Sequence, residues 1–127
     1  MVLCEPGRTA RTAEVGTGLE DLQKAVGGRI EAVYPFDEPV CLVCNEEGKF
    51  NGMGPNRALY DGDGQLRDIV FGPFLVCGCR GPAFGSLTED QLERYGRLFR
   101  LPERFTRLKG RILVQPYAPV PARGPER

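Results

Sequence analysis

The stretch that most restricts the fold is "IVFGPFLVCGC", Ile69 to Cys79. Its β-branched and aromatic residues favour extended chain, but Gly72-Pro73 breaks the run, and proline has no N–H to give to a strand ladder. The segment therefore forms either an edge strand with a bulge or two short strands. Two shorter apolar runs, "RIEAVYPF" and "PVCLVC", are separated by Asp37-Glu38-Pro39 and read as neighbouring strands. A short strand at Val2 to Cys4 closed by Pro6-Gly7, another in "TAEV", and a last one in "RILVQPY" complete the sheet-forming material.

Two segments carry helical periodicity instead. In "TGLEDLQKAVGG", Thr17 and Glu20 have capping-box spacing, Leu19, Leu22, Ala25 and Val26 share a face, and Gly27-Gly28 supplies a left-handed exit. In "SLTEDQLERYGRLFRL", Ser86 and Glu89 have the same spacing, Leu92, Tyr95, Leu98 and Phe99 recur at helical intervals, and Pro102 stops the pattern. The expected architecture is α+β: a single domain over residues 1–115, with a mostly antiparallel curved sheet of five to six strands and two packed helices. Residues 116–127, rich in proline and glycine, read as a disordered tail.

Between Cys44 and Gly64 the chain is polar and rich in turn formers. "NEEG" matches a type I turn, with Asn45 and Gly48 at its ends and "KF" starting a returning strand. "NRALY" suits one helical turn capped by Asn56, within a long loop from Asn51 to Gly64. "DGDGQL" has Leu66 and Gly72 where a calcium loop needs glycine and a bidentate glutamate, so an Asp-Gly turn is the better reading.

Charge and residue inventory exclude more than they select. Lys plus Arg and Asp plus Glu number 17 each, which disfavours both a phosphate-backbone binder and an acidic nucleic-acid mimic. Arg94, Arg97, Arg100, Arg104, Arg107, Lys109 and Arg111 make the C-terminal third locally basic; interleaved acids suggest a solvated helix face there. The chain has no histidine, so no histidine-dependent catalytic arrangement can form within it, and no residue spacing marks a catalytic set. No apolar run approaches the length of a membrane span and no signal-peptide core precedes the first strand, so the protein is expected in the cytoplasm of its host.

The five cysteines invite a zinc site from Cys41-x-x-Cys44 and Cys77-x-Cys79. Residues three apart on a strand face opposite ways, however, and buried cysteine as a small hydrophobe is the commoner arrangement, so no metal or other cofactor is assigned.

Three stretches, Val26 to Phe36 ("VGGRIEAVYPF"), Cys44 to Gly52 ("CNEEGKFNG") and Asn56 to Leu59 ("NRAL"), resemble the domain-of-unknown-function 3846 family. Its members are small proteins of bacteriophages, plasmids and conjugative elements. The resemblance runs roughly from Val2 to Phe99 and leaves out the basic stretch that follows. Of the cysteines only Cys44 lies in these motifs. The mobile-element context implies host-defence antagonism or element maintenance.

The resulting expectation is a non-catalytic binding protein, a homodimer, that sequesters a small anionic or nucleotide-like ligand or blocks a host defence protein. Lys49 and Arg57 would pair with phosphate, Asn45, Asn51 and Asn56 would bond a base or ribose, Tyr34 or Tyr60 would stack, and Glu46 is counted with them in the ligand site. The alternatives are a small nucleotide-acting enzyme using Glu46 or Glu47, and an interaction or nucleic-acid-binding module using the arginine-rich C-terminal third.

Overall fold

The computed structural model of the chain describes residues 1–119. Strands β1 (Val2–Cys4), β2 (Arg11–Thr12), β3 (Ile30–Val33), β4 (Val40–Asn45), β7 (Phe74–Arg80) and β8 (Ala83–Gly85) form the main sheet. Its order is β2-β1-β7-β4-β3, with β8 also pairing with β7, and every pairing is antiparallel. Strands β5 (Pro55–Tyr60) and β6 (Leu66–Phe71) make one separate hairpin; β9 (Glu103–Leu108) and β10 (Arg111–Pro116) make another. Helices α1 (Leu19–Val26) and α2 (Glu89–Leu98) complete an α+β fold.

The runs "VCLVC" and "FLVCGC" become the central strands β4 and β7, buried because both faces of the sheet are covered there, while "RIEAV" gives the edge strand β3. All six residues of β4 are buried, and alternation divides them between two cores. Cys41 and Val43 join Leu75 and Cys77 of β7 under Leu22 and Val26 of α1. Leu42 and Cys44 join Phe74 and Val76 on the opposite face, against Tyr95 and Phe99 of the α2 segment and Leu59 and Val70 of the β5–β6 hairpin. Phe74 and Phe99 meet edge to face at 5.3 Å, and Phe36 lies 4.6 Å from Tyr95. Gly72-Pro73 produces two strands, with Gly72 at φ +84° turning the chain from the hairpin into the main sheet.

Several local expectations are corrected. Helix α1 has Gly18 at its N-cap with no side-chain cap hydrogen bond, one residue later than a Thr17–Glu20 box would place it, and the Asp21 side chain packs against the backbone of Gly16. The α2 box is Thr88 with Gln91, two residues beyond Ser86 and Glu89, because Leu87 just before the cap is drawn into the core beside Leu92. "TAEV" contributes only Thr12 to a strand. "NRALY" is strand and not a helical turn, since it pairs with β6 and its middle is buried. "KF" starts no strand; turns run on through residue 52, with the N–H groups of Phe50 and Asn51 both donating to Glu47 O at 2.9 Å. The basic stretch after residue 102 is a β-hairpin and not a helix face. Of the expected tail, Pro116 ends β10 and the N–H of Tyr117 donates to Pro102 O at 3.0 Å; residues 120–127 lie outside the described residues.

A polar clasp fixes the loop before β4 to α2. Glu38 accepts from both Arg94 Nη1 (2.9 Å) and Nη2 (3.2 Å), from Gln91 Nε2 (3.0 Å) and from Tyr95 Oη. The Arg94 hydrogen bonds, then those from Tyr95 and Gln91, lower the carboxyl pKa from the ordinary 4.5 to about 2. A depressed folded-state pKa stabilises the protein fully above the unfolded value and progressively less as pH falls from about 4.5 to about 2. Urea titrations between pH 7 and 3 should show this loss, and Glu38→Gln should flatten it; an unchanged acid slope in the variant would exclude the clasp as its source.

Candidate functional site

The polar residues of the Cys44–Leu59 region separate into buried ties and an open groove. Asn45 is buried at the end of β4, where its Nδ2 donates to Val26 O (3.1 Å) and its Oδ1 accepts from the N–H of Glu47 (2.8 Å). It thus caps the C-terminus of α1 while closing the following turn. Gly28 leaves room for it: a Cβ there would stand 2.8 Å from Asn45 Nδ2.

Asn56 and Arg57 on β5 are each 1% exposed. Asn56 Nδ2 donates at 2.9 Å to both Cys4 O and Gly72 O, tying β5 to β1 and to the turn before β7. Arg57 donates from Nε to Phe99 O (3.0 Å), from Nη2 to Arg8 O (2.7 Å) and from Nη1 to Asn56 Oδ1 (2.7 Å). Its charge is held by oxygen dipoles without a direct carboxylate partner among the described residues, and burial lowers its pKa. Their hydrogen-bonding groups are engaged inside the molecule.

The open groove has a volume of about 340 Å³ and lies between the 45–50 turn, β3 and the β5–β6 hairpin. Its apolar floor includes Leu59, Val70 and Phe71; Glu31, Glu46, Lys49 and Asp68 supply its charge. Lys49 Nζ pairs with Asp68 Oδ1 at 2.8 Å and lies 5.9 Å from the Phe71 ring centroid, while Glu46 Oε2 pairs with Arg29 at 2.8 Å. Phe50 stands on the rim, 87% exposed. Cys44 also lines the groove, but burial raises its thiol pKa to about 11, so it is a protonated wall and not a nucleophile near neutral pH.

Of the eight residues singled out from sequence, Asn45, Glu46 and Lys49 line this groove. Tyr60 lines a different cleft of about 220 Å³ with Phe36, Leu98, Phe99 and Glu103. Tyr34 and Asn51 are exposed and line neither space. The eight do not converge. Sequence reasoning passed over Phe50, Phe71, Glu31 and Asp68; the one available signal was an aromatic side chain placed in the middle of a polar turn.

The cysteines also separate. Cys41 and Cys77 are cross-strand partners with their sulfurs 3.7 Å apart on the α1 face, while Cys44 faces the opposite core. The hydrogen bond to Cys77, reinforced by burial, raises the Cys41 pKa far above the usual thiol range. Among the described residues no group of three or more cysteine or acidic side chains is placed to hold a metal ion, and no helix is long and apolar enough to cross a membrane.

Fold and site together define an α+β protein in which a two-faced antiparallel sheet carries a mixed polar and apolar groove beside β3 and the end of β4. The chain belongs to the family described as Domain of unknown function (DUF3846), whose model matches residues 1–100. No curated protein and no solved structure matches it. The β9–β10 hairpin lies beyond the matched residues.

Proposed function

We propose that the protein is a non-catalytic binding protein whose groove receives the base of a small nucleotide-like ligand. The supporting observation is Phe50, a large apolar side chain that the fold leaves 87% exposed on the rim of a mixed polar and apolar groove. A flat ring would stack on Phe50 above the apolar floor of Leu59, Val70 and Phe71, and Glu31, Glu46 and Asp68 would accept its N–H groups. Lys49 is the lone cation of the lining and is paired with Asp68, so the base provides recognition and a phosphate would sit towards solvent near Lys49 and Arg29. The mobile-element context of the resemblance gives such sequestration its role, antagonism of a host defence, with a homodimer as the binding unit.

Calorimetric titration with nucleosides and nucleotides, followed by denaturation and recovery of the ligand, tests this reading. The expected result is intact ligand, with affinity reduced at least ~10-fold by Phe50→Ser while the melting temperature stays unchanged. Turnover of any of them would instead establish the enzyme reading, and an unaffected Phe50→Ser titration would remove the groove as the site. Light scattering with and without ligand reads the dimer.

A further inference from the structure

Charge in this chain is neutral in sum but divided along its length. Residues 1–99 contain ten Lys or Arg and fifteen Asp or Glu, whereas residues 100–127 contain seven and two. Most of that excess stands on the β9–β10 hairpin. Register pairs Arg111 with Leu108, Ile112 with Arg107 and Leu113 with Thr106, all of them exposed, while Phe105 and Val114 nearer the base are half-buried. The distal half is therefore a two-stranded ribbon standing clear of the body, with Arg107, Lys109 and Arg111 around its tip.

The base of the ribbon is basic as well. Arg57 holds Arg8 O and Phe99 O together, and the N–H of Ala10 donates to Arg100 O at 2.9 Å, which brings exposed Arg8 and Arg100 beside the start of β9. Arg104 lies over the Tyr117 ring at 4.5 Å. None of these six cations forms an ion pair among the described residues.

The turn adds a separate observation. Lys109 (φ +50°) and Gly110 (φ +78°) form the two-residue connection, and Lys109 is the one non-glycine residue with positive φ among those described. Such turns favour asparagine, aspartate or glycine at the first position. A lysine there places charge at the tip against the backbone's own preference, the kind of local cost that points to use.

We propose that the β9–β10 ribbon is a nucleic-acid-binding arm that enters the major groove of duplex DNA, independently of the groove near Phe50. A two-stranded ribbon fits a major groove about 12 Å wide, and six residues per strand give a reach of roughly 20 Å. Cations spread over that length match a line of phosphates and not a single small anion. Leu108, Ile112 and Leu113 offer apolar contact to base edges. The tip has no exposed aromatic ring on which unpaired bases would stack, which favours duplex over single strand.

Fluorescence anisotropy of a labelled duplex of ~20 bp, its single strand and anionic phospholipid vesicles, with the full chain, tests the proposal. The duplex should bind with Kd on the order of 1–100 μM near physiological salt, with the single strand and the vesicles weaker. Replacing Arg107, Lys109 and Arg111 together by alanine should weaken duplex binding at least ~10-fold and reduce the slope of log K against log salt by about 3. Lys109→Asn relieves the turn without disturbing the ribbon, so it should raise the melting temperature while weakening binding severalfold. No duplex binding, stronger binding to single strand or vesicles, or Lys109→Asn binding as tightly as the parent would each overturn the proposal.

Discussion

Replacing Arg57 by methionine is expected to destabilise the protein by about 3 kcal/mol. Methionine retains most of the packing volume and cannot donate, so the change isolates the hydrogen bonds. Two buried oxygens, on Phe99 and Asn56, and the part-buried carbonyl of Arg8 lose their donor; each buried one costs about 1–3 kcal/mol when left unpaired, the part-buried one less. Against this, methionine removes the cost of burying a guanidinium with no direct carboxylate partner, and that cost is real because burial lowers the Arg57 pKa. The oxygens dominate, because Arg57 ties three segments at one point, the loop after β1, β5 and the end of α2, where the bonds of Ala10 N–H to Arg100 O and of Asn56 to Cys4 O are the remaining polar links. Denaturant melts should show the loss, and hydrogen exchange should show earlier opening of residues 6–12. A neutral or more stable Arg57→Met would mean that charge burial outweighs the ties.

This double role explains what could be read from the chain before its fold was known. β4 and β7 were legible because continuous apolar runs of five to seven residues have few other outcomes, and Gly72-Pro73 marked its own break. Gly27 was legible as a helix exit because the left-handed conformation is local chemistry. Asn45, Asn56 and Arg57 were another matter. Their residue types and their polar, turn-rich surroundings are those of ligand-binding groups, and nothing local indicates that Asn56 reaches Cys4, 52 residues away, or that Arg57 reaches Phe99 and Arg8. Burial here is a property of the packed hairpin and not of the segment. The β9–β10 ribbon was half legible: "RILVQPY" read as a strand and is β10, but β9 was missed because Arg97, Arg100, Arg104, Arg107 and Arg111 recur at helical spacing, and the deciding Lys109-Gly110 turn carries lysine where asparagine would have signalled it.

Gly48→Ala is expected to be the other severe substitution, destabilising by about 2–3 kcal/mol and abolishing ligand binding in the groove. A Cβ at Gly48 would stand 2.5 Å from Phe71 O and 3.3 Å from its carbonyl carbon. Both are backbone atoms at the end of β6, so no side-chain rotation relieves the overlap. The 46–52 turn must lift away from β6, moving Lys49 and Phe50 relative to Asp68 and Phe71 across the groove. Neighbouring glycines provide the comparison. Gly54→Ala meets open space without positive φ and should leave stability unchanged, while Gly52→Ala meets open space at φ +75° and should cost only backbone strain of about 1–2 kcal/mol. Melting temperatures across the three variants should therefore fall in the order Gly54→Ala, Gly52→Ala, Gly48→Ala, with only the last altering the groove. If Gly48→Ala melts with Gly54→Ala, the turn is not pinned against β6. The groove would then lack the rigid wall that sequestration of a flat ligand requires.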